Sequence, residues 1–131
     1  MIVISVLAFL ALISYFNFKN PTPEQTNNLI NRSESLKRVD KLCENLPKPE
    51  DFHLVKKIVS GNSYTVAISH YYQSELEYNK IKTFYLDWFA RNNWLLETQG
   101  TLDFRNKNLI IHINKGYWAG ANYVIYCAEE S

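Results

Sequence analysis

The sequence lacks an excess of charge of either sign, since 14 Lys and Arg residues stand against 13 Asp and Glu residues and the formal net charge is +1. Proteins that bind nucleic acid through its phosphates carry a basic patch or stripe. A chain with balanced charge argues against that class of protein. We therefore predict no nucleic-acid partner.

Recognisable catalytic and nucleotide-binding motifs are also missing. The sequence contains no G-x-S-x-G, no H-E-x-x-H, no Walker-type loop and no G-x-G-x-x-G. It has only two cysteines, and Cys43 and Cys127 form no Cys-x-x-Cys redox motif. We predict no catalytic residues, no metal site and no cofactor.

Three histidines support an alternative, enzymatic interpretation. His53, His70 and His112 all fall in predicted strands, and three imidazoles on neighbouring strands can ligate zinc. Convergence of these side chains would favour a small hydrolase or a metal-dependent enzyme. Scattered histidines more often lie at the edge of a core or in solvent, and this is the interpretation that we prefer.

An uncharged apolar run starts at Met1 and ends at Phe18, directly before Lys19. As a helix it would be about 27 Å long, which is enough to cross a thin bilayer. A cleavable signal peptide would need a basic start and small residues at the cleavage site, where this chain has Tyr15 and Phe16. We predict a transmembrane anchor or signal-anchor over residues 1–18, with secretion after leader cleavage as the alternative.

The orientation of this segment depends on two opposing signals. The positive-inside rule leans towards a cytoplasmic C-terminal domain, because Lys19 follows the segment and only the α-amino group precedes it. A disulfide between Cys43 and Cys127 would instead require an oxidising compartment. Two buried thiols in a reducing compartment are the alternative. We predict the disulfide, and with it a domain outside the cytoplasm.

The remaining chain divides into a polar tether over residues 19–32 and one domain over residues 33–131. The tether is predicted from Pro21, Pro23 and many Asn, Gln and Thr residues. The domain opens with a helix that Ser33 caps and Pro47 stops. Its apolar face has helical spacing and consists of Leu36, Val39, Cys43 and Leu46.

A second amphipathic helix begins at Ser74 and ends at Asn92. Ser74 and Glu77 have the spacing of a capping box. An aromatic and apolar stripe with helical spacing follows and consists of Tyr78, Ile81, Phe84, Tyr85, Trp88 and Phe89. Such a stripe could bind a ligand, but the spacing alone is explained by a core, which we predict.

Alternating residues and turn signals predict strands on both sides of this helix. They cover residues 52–59 and 64–72 before the helix, and residues 94–98, 101–105, 109–113 and 123–127 after it. The segments 94–98 and 101–105 form either one strand with a glycine bulge or two short strands. The predicted fold is α+β, of order α-β-β-α-β-β-β, with an antiparallel sheet packed against the 74–92 helix.

The loop over residues 115–120 is the predicted binding site. Glycines flank Tyr117 and Trp118, and exposed aromatics on a loop are typical anchors for a protein, a glycan or a membrane interface. Tyr71 and Tyr72, at the end of the second strand, extend this surface. In the alternative, the loop aromatics fold back over the sheet edge as a small satellite core.

The segment SHYYQSELEYNKIKTFYLDWFARNNW is followed by a strand pair and a cysteine-bearing last strand. Over residues 46–127 this arrangement resembles small uncharacterised bacterial envelope proteins, although their leaders are often of the lipoprotein type. The resemblance implies a fold and an envelope location, but no activity. We expect a non-enzymatic binding or accessory module, anchored in the bacterial inner membrane and facing the periplasm, with a protein partner. A small inhibitor or immunity-type protein is the alternative.

Overall fold

Six antiparallel strands form one sheet in a computed structural model of the protein, which describes residues 22–131. The strands are β1 (His53–Gly61), β2 (Thr65–Gln73), β3 (Leu95–Leu96), β4 (Leu102–Asn106), β5 (Leu109–Trp118) and β6 (Ala121–Glu130). Their order across the sheet is β1-β2-β6-β5-β4-β3. The helices are α1 (Pro23–Asn31), α2 (Glu34–Asn45) and α3 (Tyr78–Arg91). The predicted α+β class with an antiparallel sheet is confirmed.

The predicted membrane segment, residues 1–18, lies outside the described residues. Between residues 22 and 131, no helix is both long enough and apolar enough to cross a bilayer.

Helix α1 lies in the stretch that was predicted to be a polar tether. Thr22 Oγ1 accepts the backbone N–H of Gln25 at 3.2 Å, and Gln25 Oε1 accepts the backbone N–H of Thr22 at 2.9 Å. This capping box and Pro23 in the first turn stabilise a helix start. Residues 23–31 of the predicted tether therefore form a helix, and its Ile30 is buried in the core.

Helix α2 begins and ends as its sequence indicates. Ser33 Oγ accepts the backbone N–H of Leu36 at 3.2 Å, which confirms the predicted cap. At the other end, the Lys48 ammonium group donates to the carbonyl oxygens of Cys43, Glu44 and Leu46 at 2.7–3.0 Å. A cation that binds the carbonyl oxygens at the end of a helix stabilises its C-terminus.

Helix α3 starts four residues later than predicted, at Tyr78, and the predicted capping box is wrong. Ser74 is buried, and its hydroxyl donates to Asp51 Oδ2 at 3.0 Å and accepts the backbone N–H of Leu76 at 3.1 Å. Glu77 is the N-cap, with no side-chain cap hydrogen bond. The carboxylate of Asp51 also accepts the N–H of Glu75. Residues 74 and 75 are therefore bound to the chain just before β1 and do not extend the helix.

Both α2 and α3 pack on the same side of the sheet, which we call the covered face. Phe89 of α3 stacks on Phe104 of β4 with ring centroids 3.8 Å apart. Helix α2 packs on β2 and β6 instead, so the 74–92 helix covers only part of the sheet. The core on this side consists of Ile30, Val39, Cys43, Leu46, Ile68, Tyr72, Ile81, Tyr85, Phe89, Leu102, Phe104, Ile111, Ile113, Tyr123, Ile125 and Cys127.

A disulfide joins α2 to the sheet, as predicted. The Sγ atoms of Cys43 and Cys127 are 2.02 Å apart, and both residues are completely buried. Cys127 lies on β6, which is one of the two middle strands of the sheet.

We predict that reduction of this disulfide destabilises the domain strongly. The bridge joins residues 84 positions apart. By restricting the conformations of so long a loop, it raises the free energy of the unfolded chain by about 4 kcal/mol. Denaturant unfolding with and without a strong reductant measures the loss. A Cys43→Ser/Cys127→Ser variant should match the reduced protein, and equal stability of the reduced and oxidised protein would contradict the prediction.

The hydroxyl of Tyr85 has no hydrogen-bond partner among residues 22–131, although the residue is completely buried. An unsatisfied buried hydroxyl costs about 1–3 kcal/mol. We therefore predict that Tyr85→Phe raises the free energy of unfolding by about 1 kcal/mol. Tyr123→Phe is the matched control, because it removes a hydroxyl that donates to the Leu76 carbonyl at 2.7 Å, and it should lower stability. An equal loss of stability in both variants would contradict this prediction.

Candidate functional site

The side of the sheet opposite α2 and α3, which we call the open face, contains the candidate site. Directly paired residues in an antiparallel sheet point to the same side, so the strand register defines rows across this face. The first row is Lys56, Tyr71, Val124 and Asn114, the second is Ile58, Ser69, Tyr126, His112 and Asp103, and the third is Ser60, Ala67, Ala128, Ile110 and Arg105.

The third row of the open face contains a small apolar layer. Ala67 and Ala128 are completely buried and Ile110 is 7% exposed, and Tyr126 packs against them. Tyr126 itself remains half-buried, so one part of the ring lies on this layer and the other reaches solvent. Burial raises the pKa of its phenol, with a contribution from Glu130. The hydroxyl therefore stays protonated and can donate a hydrogen bond.

His112 lies beside Tyr126 in the same row. Their rings stack with centroids 5.4 Å apart and an angle of 29° between the planes. The imidazole Nδ1 is 3.9 Å from Asp103 Oδ1, so a carboxylate stands at its other side. An aromatic ring, an imidazole and a carboxylate thus follow one another across β6, β5 and β4.

The predicted loop over residues 115–120 is a β-hairpin rather than a loop. Strand β5 continues to Trp118, and a two-residue turn at Ala119 and Gly120 leads into β6. Both turn residues have positive φ, 51° and 90°, as the tight turns of right-twisted hairpins require. A bulge between Lys115 and Trp118 shifts the register near the tip, and such bulges increase the local twist.

Trp118 folds back onto the open face. Its ring meets Tyr71 edge to face, with centroids 5.4 Å apart and an angle of 79°. The ammonium nitrogen of Lys56 lies 4.4 Å from the centroid of the indole, which is a favourable cation–π distance. A side-chain carbon at Gly116 would lie 2.6 Å from Val124 Cγ1, so the missing side chain allows the tip to approach. Trp118 therefore packs back on the sheet, as in the alternative in which the loop aromatics form a small satellite core.

The four predicted binding residues do not form one surface. The structure brings Tyr71 and Trp118 together, whereas Tyr117 is 77% exposed and takes no part in this ring contact. Tyr72 is 3% exposed on the covered face, where its ring lies 5.2 Å from that of Phe52. Tyr71 and Tyr72 separate because consecutive strand residues point to opposite sides.

The three histidines do not converge. His53 is exposed near Asp51, His70 is buried on the covered face and His112 lies on the open face. Across residues 22–131, no group of three or more His, Cys, Asp or Glu side chains is placed to hold a metal ion. The zinc arrangement that the sequence allowed is therefore not formed by these histidines.

Sequence reasoning missed a cluster of charged side chains under α2. Asp40 Oδ1 lies 2.9 Å from His70 Nε2 and 3.1 Å from Lys57 Nζ, and Glu44 also accepts from Lys57. His70 Nδ1 is 3.4 Å from the hydroxyl of Tyr72. A neutral imidazole with its proton on Nε2 fits both neighbours, because it donates to Asp40 and accepts from Tyr72.

Burial and the neighbouring charges shift the pKa values of His70 and Asp40. Burial lowers the pKa of His70, and the positive charges of Lys57 and Lys48 act in the same direction, whereas Asp40 opposes them. Burial by itself raises the pKa of Asp40, but hydrogen bonds from His70 and Lys57 and their charges outweigh it, so that pKa is lowered. No sequence pattern indicates the cluster, because its members come from α2, β1 and β2.

We predict that stability falls as the pH drops below the usual His pKa of 6.5. Since the folded-state pKa of His70 is lowered, the unfolded chain takes up a proton that the folded domain does not, and stability falls until the folded imidazole also titrates. One such proton gives a slope of at most about 1.4 kcal/mol per pH unit. Denaturant unfolding between neutral and mildly acidic pH measures the slope.

The variant His70→Gln should reduce this slope, because an amide can still donate to Asp40 but does not titrate. His53→Gln is the control at an exposed position and should keep the slope. An unchanged slope in His70→Gln would show that another group causes the pH dependence.

Comparisons of this chain with protein-family models, with curated proteins and with solved structures found no match. The resemblance to bacterial envelope proteins therefore stays a prediction from the sequence.

Proposed function

We propose that the protein is a non-enzymatic binding module of the bacterial envelope, anchored in the inner membrane by residues 1–18, with its domain in the periplasm. The uncharged run before Lys19 supports the anchor. The disulfide between Cys43 and Cys127 supports an oxidising compartment. An enzymatic role has less support, because the three histidines lie on separate parts of the domain.

The half-exposed aromatic residues of the open face carry the proposal of binding. Tyr71, Tyr126 and His112 lie on the side of the sheet that α2 and α3 leave uncovered. Charged and polar residues lie beside them: Lys56 and Asn114 share the outer row of Tyr71, and Arg105 lies in the other outer row. An aromatic centre with a polar rim is the usual anatomy of a protein–protein interface.

The size of the open face indicates the kind of partner. Five strands about 4.8 Å apart and three rows of residues give a patch of roughly 20 by 20 Å, on the order of 400 Å². A standard interface buries about 800 Å² on each partner. The proposed partner is therefore a protein that binds transiently or one that also contacts residues next to the open face.

Site-specific photo-crosslinking of the full chain in its native membrane tests this function. A photoreactive residue at Asn114, which is exposed on the open face, should give one discrete protein adduct. The same residue at Lys80, exposed on α3, should give none. Tyr71→Ala combined with Tyr126→Ser should abolish the adduct, because these changes remove the aromatic centre.

The melting temperature of the double variant separates binding from folding. A folded variant that loses the adduct supports the open face as the binding surface. Equal adducts from Asn114 and Lys80, or a full adduct with the folded double variant, would overturn the proposal.

A further inference from the structure

Exposed apolar side chains collect at one end of the sheet, which we call the hairpin end. Leu54, Tyr72, Tyr123 and Lys115 form one row across β1, β2, β6 and β5, which is the last row before the bulge of the β5–β6 hairpin, and Tyr72 and Tyr123 in its middle are buried. Leu54 is 50% exposed and Tyr117, beyond Lys115 in β5, is 77% exposed.

Val55 adds to this patch and is 40% exposed. It lies at the bulge in β1, where the register shifts between Leu54 and Lys56. The bulge leaves two consecutive apolar side chains at the surface, although consecutive strand residues normally alternate between core and solvent.

The chain enters the domain at the same end. The first helix, α1, starts at Pro23, and its first turn borders an open cavity of about 460 Å³ against β1. Leu54 and Val55 line this cavity together with Pro23 and Thr26. The exposed apolar patch therefore borders the point that follows the N-terminal segment.

The length of the connection fixes how far this end can lie from a bilayer. Only residues 19–21 separate the end of the predicted anchor at Phe18 from Thr22. Four peptide units span at most about 14 Å, and the headgroup layer on one side of a bilayer is roughly 5–8 Å thick. With residues 1–18 in the membrane, the hairpin end cannot be far from the headgroups.

We propose that the hairpin end, through Leu54, Val55 and Tyr117, lies in the headgroup layer of the bilayer that anchors the chain. This inference rests on the proposed membrane anchor. Tyrosine and tryptophan favour the membrane interface because each combines an apolar ring with a polar group. Leucine and valine at the patch lose contact with water when they enter the layer.

The attraction is hydrophobic rather than electrostatic. This end carries the cations Lys56 and Lys115 and also the carboxylates Asp51, Glu75 and Glu77, which lie next to the start of β1 and the end of β2 in the sequence. Because the charges of the two signs largely balance, contact with lipid should depend little on the salt concentration.

Photo-crosslinking to lipid tests the inference with the full chain. The protein is reconstituted in phosphatidylcholine vesicles that contain a minority of phosphatidylglycerol, with a benzophenone side chain at Leu54 or at Tyr117. Both positions should give lipid adducts whose yield does not change with salt. Tyr64 is the matched control, because it is 75% exposed but precedes β2 at the opposite end, about 25 Å away along the strand.

Carbonate washing of the same vesicles separates the two proposals. Protein that resists washing and gives lipid adducts at Leu54 and Tyr117, but not at Tyr64, supports the inference. Protein that resists washing but gives adducts only to a second copy of the chain, or equal adducts at Tyr64, overturns it and leaves the anchor intact. Protein that washes off overturns both.

Discussion

The attachment of α2 to the middle of the sheet is the constraint on which the rest of the domain depends. The disulfide joins Cys43 to the central strand β6, and Asp40 binds His70 on the neighbouring strand β2. Arg38 binds Glu129 at the far end of β6, at 2.8 Å. Three contacts of different chemistry thus hold one helix to the central strand β6 and to its neighbour β2. With α2 fixed there, α3 occupies the adjacent part of the same side, over β4, and the other side is left uncovered.

Local patterns in the sequence were sufficient for most of the fold. Alternation predicted β2 and the strand that contains Ile111. Helical spacing predicted the buried faces of α2 and α3, except that Phe84, which was included in the core, is 37% exposed. These predictions are correct because burial of one side of a strand or helix imposes a period on the sequence. The polar composition of residues 19–32 predicted no helix, although α1 lies there. A count of Asn and Gln residues does not take account of the capping box that Thr22 and Gln25 form.

Long-range partners explain what the sequence could not indicate. Ser74 and Glu77 have the spacing of a capping box, but Asp51, 23 residues earlier, takes the hydroxyl of Ser74. The site was predicted only in part for the same reason. Tyr71 and Trp118 were both chosen as aromatics, yet their contact depends on the pairing of β2 with β6 and of β6 with β5. Tyr126 and His112 were missed as binding residues because their stacking depends on strand order, which no local pattern specifies.

Both outer strands of the sheet are poor templates for further strands. At one edge the bulge at Val55 interrupts the regular spacing of backbone groups in β1, and α1 packs alongside. At the other edge β3 has only two residues, Leu95 and Leu96. Bulges and very short edge strands hinder the pairing of one sheet with another. The domain can therefore keep a wide, partly aromatic surface accessible while its edges resist growth into a continuous sheet between copies, which would matter under the proposed anchoring, where copies share one membrane plane.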